Sequence, residues 1–322
     1  MLRPSMCPHH ALIYRSRGHS YRELPLRLAE IGGQYRAELS GVLGGLTRVR
    51  AIQLNDAHIF CTLDQVSGEA LSALTLIGQA YQALGIKPVR YRLSLPGPGG
   101  KYVNDPKLWQ RPADMLTAVL ASAGLPYEAG PGEAAFYGPK IDVQVADSAD
   151  REATLSTVQI DFYSPERFGL HYIGADGGRH RPVMVHRSIV GSMERAVGHL
   201  IEVHSGAFPG WLAPVQLAVH PVTDAQSPQA ARFAGLAEEQ ELRVQVAGPE
   251  RGSLGSRIRG ARLVPYQAII GEREGTAGQV ALRLRDGRQL RTIPATDAIA
   301  RIAAQVRAHS TQLWYDADAA AS

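Results

Sequence analysis

The sequence predicts an α+β protein in which an antiparallel sheet with helices is followed by a small α/β domain with a mixed sheet. Three observations predict it. Short stretches in the first half, at residues 34–61, 140–146 and 158–163, alternate polar and apolar side chains as half-buried strands do. Between them lie runs with the leucine, isoleucine and alanine spacing of amphipathic helices. After the two prolines of FPGWLAP, residues 208–214, strand and helix patterns alternate, as in a small α/β domain. A chain of 322 residues, 45% hydrophobic, is long enough for two cores, and the expected division is 1–213, 214–310 and a C-terminal tail 311–322.

Taken in order, residues 34–61 read as a long hairpin whose turn is supplied by Gly41, Gly44 and Gly45. Residues 69–84 carry Leu71, Leu74, Ile77, Ala80 and Leu84 at helical spacing, and 113–123 form a second helix. Strands 140–146 and 158–163 are expected to be antiparallel neighbours. PGPGGK, residues 96–101, reads as a surface loop, because it lacks the following Ser/Thr and the strand–loop–helix setting of a phosphate-binding loop. The clearest helix spans 188–203, with Ile189, Met193, Val197 and Leu200 as its apolar stripe and Ser188, Ser192, Arg195 and His199 on another face. The second domain runs strand 215–220, helix 226–240, strand 242–246, helix 256–261, strands 266–270 and 280–285, and helix 296–308, before residues 316–322 fray.

Composition narrows the class. Charged residues make up 20% and the formal net charge is +4, an ordinary globular balance with a mild excess of base that suits a polyanionic partner such as nucleic acid. Two cysteines, Cys7 and Cys61, are too few for a disulfide framework. No apolar run reaches the ~20 residues of a membrane helix, and nothing at the start reads as a signal peptide. A cytoplasmic protein with no membrane association is expected.

Two short patterns carry chemistry. One is Tyr35-Arg36-Ala37-Glu38 with a return at Thr47-Arg48-Val49-Arg50; the other is Gly191-Ser192-Met193-Glu194-Arg195. An Arg-x-Glu alone is a common chance match, equally an ion pair on a solvated strand. Here both stand in order, flanked by MCPHHALIYRS (6–16), YRELPLRLAEIGGQYRAELSG (21–41), DAHIFCT (56–62), AFYGPKID (135–142), VMVHRSIVGSMERAVGHLIE (183–202) and FPGWLAPVQ (208–216). Together they resemble the second and third motifs of class II aminoacyl-tRNA synthetases, and in particular the threonyl-tRNA synthetase family, from residue 2 to about residue 310.

The resemblance implies a class II catalytic sheet followed by an anticodon-binding domain, acting on threonine, ATP and tRNA(Thr). Amino-acid activation brings a carboxylate against the α-phosphate of ATP, so two anions must be held together. The matching positions make Arg36 the fork that bridges them, Glu38 the acceptor for the adenine amine, and Arg48 and Arg195 the holders of the outer phosphates. Gly191 and Ser192 leave room for the nucleotide, and Mg²⁺ accompanies ATP. Cys7, His58 and His186 match the family's Zn²⁺ ligands, three donors with an open position for the substrate's amino and hydroxyl groups. Asp56 would accept from that hydroxyl, with Tyr137 and Gln159 near the amino group. By spacing alone His58 would be a packed or surface histidine, as His9, His10, His199, His204 and Cys61 are taken to be. In the second domain SRIRGARLVPYQAIIGERE (256–274) resembles the shared anticodon-binding domain, with Glu274 and Arg283 where bases are read. Arg251, Arg257 and Arg259 are candidates either to face phosphate or to form a solvated basic face.

The pattern also departs from the family. The likeness starts within the family's sequence, so its first motif, which builds the homodimer interface, and its editing domain are expected to be missing, and serine activation is expected. Ile52 replaces an aromatic that stacks on adenine, Leu54 a glutamine, Ala153 and Thr154 a Trp-Gln pair, and Arg251 an anticodon-reading asparagine. A threonine–tRNA ligase is the first reading. A truncated paralogue that adenylates threonine without charging tRNA and a non-catalytic tRNA-binding remnant are the alternatives.

Overall fold

The computed structural model describes residues 2–99 and 102–314. Its packing divides into two units, Met1–Val203 and His204–Ser322. None of the described helices is long and apolar enough to cross a membrane.

The first unit begins with helix α1 (Cys7–Arg15), followed by strands β1 (Leu26–Tyr35) and β2 (Ala51–Cys61) and helix α2 (Val66–Leu84). Then come β3 (Pro88–Leu95), α3 (Lys107–Ser122), β4 (Tyr127–Pro131), β5 (Lys140–Ala146), β6 (Glu152–Asp161) and α4 (Tyr163–Arg167). The small strands β7 (Tyr172–Ile173) and β8 (Arg179–His180) precede β9 (Val183–Ser188) and α5 (Met193–His204). Seven strands make one sheet in the order β1-β2-β9-β6-β5-β3-β4. Every pairing is antiparallel except β3 with β4. Helices α2 and α3 cover it through buried side chains such as Ile77, Leu116 and Leu120. α1 packs Ala11 and Tyr14 against Phe60 and Met184.

The hairpin expected at 34–61 is present, but its first strand starts at Leu26. Along β1 half-buried and exposed residues alternate from Leu26 to Glu30, the period of a strand with one face covered. Helix α3 begins at Lys107 rather than at 113, with Pro112 inside it. Strands β5 and β6 are antiparallel neighbours, as expected.

The helix expected at 188–203 is corrected at its start. Ser188 ends strand β9 and the helix begins at Met193. Gly191 separates them: its φ is +65°, and a Cβ there would lie 2.6 Å from the Leu155 carbonyl oxygen. Only glycine takes that backbone without strain. The helix buries Ala196, His199 and Leu200, whereas Val197 is exposed, so the proposed stripe is rotated.

The second unit contains β10 (Leu217–Pro221), α6 (Ser227–Glu238), β11 (Val244–Val246), α7 (Leu254–Gly260) and β12 (Tyr266–Ile270). α8 (Glu272–Ala277), β13 (Gln279–Leu284), β14 (Gln289–Pro294) and α9 (Ala295–Arg307) follow. Its sheet, β11-β10-β12-β13-β14, is parallel on one side of β12 and antiparallel on the other, the mixed sheet expected. α6 and α9 supply Phe233, Ala237, Ile299 and Ile302 to its core.

Two boundaries move. Packing assigns 204–213 to the second unit rather than the first. Arg243 donates to the carbonyls of Trp211 and Ala213, Gln216 to Gly210, and Arg285 to Phe208, so this segment is tied down by its own domain. Residues 311–314 are no free tail, because Leu313 and Trp314 are buried in the same core. The expected fraying at 316–322, and Gly100 and Lys101 of the PGPGGK loop, lie outside the described residues.

Candidate active site

Strand register assembles the site. In an antiparallel pair, opposed residues share a face. β1 opposes Glu30 to Asp56, Gly32 to Leu54 and Gln34 to Ile52. β9 opposes His186 to His58 on one side and to Gln159 on the other. His58, His186 and Gln159 therefore form a row across three strands, and Asp56, Leu54 and Ile52 a row along β2. The start of the chain lies over this face. Gly32 permits it, since a Cβ there would meet the Met6 sulfur at 2.4 Å.

α1 brings Cys7 to that row. Cys7 Sγ is 3.0 Å from His58 Nε2 and 3.7 Å from His186 Nδ1, and one donor atom from each residue falls within 4.8 Å of the others. A tetrahedral Zn²⁺ with ordinary bond lengths needs sulfur–nitrogen separations of ~3.5 Å, so the donor set fits the ion in chemistry and in spacing. The other nitrogen of His186 lies 2.9 Å from Asp161 Oδ2, and Asp161 Oδ1 accepts from the backbone N–H groups of Tyr163 and Ser164. Burial by itself would lower the His186 pKa, but the Cys7 sulfur and the Asp161 carboxylate together raise it to about 10. His58 is held well below its usual range by burial, then by His186 and His10. Asp56, pushed up to about 6 mainly by burial, completes this end. Beside it Tyr137 donates to Gln159 Oε1 at 2.6 Å.

The opposite end is cationic. Arg36 follows β1, Arg48 sits in the returning loop and Arg195 on α5. Burial first, then the nearby Arg36 and Arg48, lowers the Arg195 pKa. Arg195 is aimed by its bonds to the Thr47 and Thr154 carbonyls at 3.2 and 3.1 Å. Glu38 accepts from Arg48 at 3.0 Å. Glu194, next to Arg195, accepts from the Gln53 backbone N–H and ties α5 to β2. Ser192 bridges to Leu54.

One cavity of about 590 Å³ joins the two ends. It is lined by Cys7, Asp56, Tyr137, Gln159 and His186 near the sulfur, and by Arg36, Glu38, Arg48, Gly191, Ser192 and Arg195 beyond. His58, fully buried, reaches the same point from beneath. From His58 to Ile52 is roughly 20 Å of strand, long enough for two small substrates end to end. Glu274 on α8 and Arg283 on β13 belong to the second unit and are half-buried there.

Some residues passed over in the sequence belong here. Lys140 lines the cavity, its ammonium on Asp142. Gln34 is 1% exposed at the cavity wall beside Asp56, whose carboxylate its amide favours slightly. His10 is buried with its Nδ1 2.7 Å from His58 Nδ1. Its signal was in the sequence, because Cys7 and His10 at a spacing of three lie on one face of a helix. Arg257 is a correction: it is buried and donates to the carbonyls of Pro221, Val222, Ala247 and Gly252, so it is a fold clamp and not a phosphate contact. Arg251 and Arg259 remain exposed.

Comparison with known proteins places the chain in a family. Residues 1–204 match the tRNA synthetase class II core domain (G, H, P, S and T), and residues 216–305 match the anticodon binding domain. The chain belongs to the class II aminoacyl-tRNA synthetases. Within that family it is 45% identical over 312 residues to a threonine–tRNA ligase of Geobacillus sp., covering 95% of this chain and 48% of the relative. It is 48% identical over 298 residues to that of Thermus thermophilus, covering 91% and 45%. The chain thus spans about half the length of the curated relatives it matches. Among solved synthetases, the RNA binding domain of threonyl-tRNA synthetase from Cryptosporidium parvum superposes with a TM-score of 0.87 at 33% identity, covering 94% of this chain and 76% of that one. A putative threonyl-tRNA synthetase from Aeropyrum pernix gives 0.79 at 27%, covering 97% and 76%.

Proposed function

We propose that the chain is a threonine–tRNA ligase, which activates threonine with ATP and passes it to tRNA(Thr). The observation that carries this reading is a single cavity with a Cys/His/His donor set at one end and three converging guanidiniums at the other.

In the first step a threonine carboxylate oxygen bonds to the α-phosphorus of ATP, the bond to the bridging oxygen breaks, and pyrophosphate leaves. Arg36 bridges the two reacting anions, lowering the repulsion between them. Arg48 and Arg195 hold the outer phosphates, and Mg²⁺ entering with ATP would offset more of their charge. Glu38 accepts from the adenine amine. Gly191 and Ser192 leave space for the nucleotide beside α5. At the other end Cys7, His58 and His186 would hold Zn²⁺, which supplies a Lewis acid with an open position for a hydroxyl-bearing amino acid. Asp56 accepts from the side-chain hydroxyl, while Tyr137 and Gln159 position the amino group. Valine lacks that hydroxyl and leaves Asp56 unpaired, so it is rejected strongly. Glu274 and Arg283 are proposed anticodon contacts in the second unit. A homodimer, as expected from the family, is the proposed assembly.

Threonine-dependent ATP–pyrophosphate exchange, run beside tRNA charging, tests the reading. Exchange with charging supports it. Exchange without charging would make the chain an adenylating paralogue, and no exchange from a folded chain would leave a tRNA-binding remnant.

A further inference from the structure

We propose that His10 is a positioning residue for His58, fixing its tautomer so that Nε2 stays unprotonated toward Cys7 and His186, with Glu30, itself bound by Arg3, facing the far side of His10. The inference rests on the metal reading above and concerns the residues behind the donor set.

His58 is fully buried, and its Nε2 is the nitrogen beside Cys7 Sγ. Its Nδ1 points the opposite way, to His10 Nδ1 at 2.7 Å. Two ring nitrogens at that distance share one proton, since two protons would clash and none would leave two lone pairs opposed. A neutral imidazole carries its single N–H on one nitrogen only. If Nε2 of His58 is to offer a lone pair, Nδ1 must carry the proton and donate it. His10 then accepts at Nδ1 and carries its own proton on Nε2. That nitrogen faces Glu30 Oε2 at 3.6 Å, and Glu30 Oε1 is bound by Arg3 at 2.7 Å. Every proton in the chain has one consistent place. The planes of the His10 and His58 rings are nearly perpendicular, at 83°.

The two histidines of the donor set are therefore supported differently. His186 donates to a carboxylate, Asp161, which raises its basicity. His58 donates to a neutral imidazole, which orients it with less added charge. Outer partners of this kind typically change metal affinity ~10–100-fold when removed.

Co²⁺ is the probe, because its visible d–d absorption reports donor geometry independently of catalysis. The full chain and its Cys7→Ser, His10→Leu and His10→Asn variants are titrated with Co²⁺, and Zn²⁺ competition gives affinities. Asparagine keeps an acceptor near the position of Nδ1, whereas leucine keeps volume without one. Expected are a ~10–100-fold weaker affinity and an altered d–d envelope for His10→Leu, with His10→Asn restored close to the parent. Melting of the metal-free variants checks that all are folded. Equal affinity and spectra for His10→Leu and the parent would overturn the relay while leaving the donor set standing. Equal weakening in His10→Leu and His10→Asn would also overturn it, reducing His10 to packing. Indifference of binding to Cys7→Ser would overturn the metal reading itself.

Discussion

Replacing Arg257 by methionine separates a fold clamp from a nucleic-acid contact. Arg257 is 6% exposed, and its guanidinium reaches the Pro221 and Ala247 carbonyls at 2.8 Å, Gly252 at 3.0 Å and Val222 at 3.4 Å. These carbonyls end β10, follow β11 and precede α7, so one side chain ties together three chain segments. Hydrogen bonds from a charged donor contribute ~1.5–3 kcal/mol each. Burying the charge costs several kcal/mol in return, so the contributions do not add. Methionine conserves the stem and removes all four bonds at once. The expected loss is about 3 kcal/mol, near the lower end for breaking a buried charged interaction. For a domain of this size, ~4 °C per kcal/mol lowers Tm by about 12 °C. Thermal melts followed by circular dichroism measure it, with Arg251→Met and Arg259→Met as exposed comparators expected to stay within ~0.5 kcal/mol of the parent. The salt dependence of binding to bulk tRNA is read in parallel, since losing one phosphate contact lowers its slope by ~1. An unchanged melt for Arg257→Met together with a reduced slope would refute the clamp and restore the phosphate reading.

Three further outcomes are expected. In the metal-free native chain an excess of a thiol reagent should modify Cys7 alone. Cys61 is fully buried and its thiol is pushed up to about 12, mainly by burial and then by Glu69 and Asp64, leaving ~10⁻⁴ as thiolate at pH 8. Two fast thiols, or no protection of Cys7 by added Zn²⁺, would contradict the packing or the donor set respectively. Gly191→Ala should lose at least ~1 kcal/mol of stability and most of its exchange activity, because the methyl meets the Leu155 carbonyl and φ is positive; parent-like exchange would show that the turn relaxes. Gln34→Met should leave stability within ~1 kcal/mol of the parent, since the buried amide at the cavity wall gives up only a minor interaction with Asp56. A higher KM for threonine or ATP in that variant would instead mean that the amide serves a substrate.

The parts of the fold that could be read were those where one periodicity held throughout an element. Strands β5 and β12 have the bounds that alternation and burial dictate. Strand β3 was missed although its apolar Val89, Tyr91, Leu93 and Leu95 alternate with polar residues, among them Arg90 and Arg92. The structure accommodates them through carboxylates on neighbouring strands, Glu128 and Glu152 for Arg90 and Asp142 for Arg92, information that pairing alone supplies. The helix start at 188 failed for a different reason. Residues 183–189 are almost continuously buried, and a buried strand and a buried helix turn look alike over so short a run. The candidate site was legible only through its flanking strings. Cys7, His58 and His186 come from three elements, and nothing in their separation along the chain encodes the 3.0 and 3.7 Å contacts that register and α1 create. His10 and Gln34 lie inside those strings, but what they do is set by the partners they face; only His10, three residues after Cys7 on one helix face, carried a signal of its own.

The segment before β10 has a bearing on how the two halves can be exchanged. The core-domain match stops at residue 204 and the anticodon-domain match starts at residue 216, so the stretch between them looks like disposable linker. Yet its carbonyls are the acceptors for Arg243, Gln216 and Arg285, and Gly210 admits the Tyr266 hydroxyl at 3.3 Å from where a Cβ would be. A chimera spliced at residue 214 would inherit those donors and an aromatic seat shaped for someone else's connector. Grafting from residue 204 onward transfers the connector with the side chains that read it, making that position the natural seam for recombination.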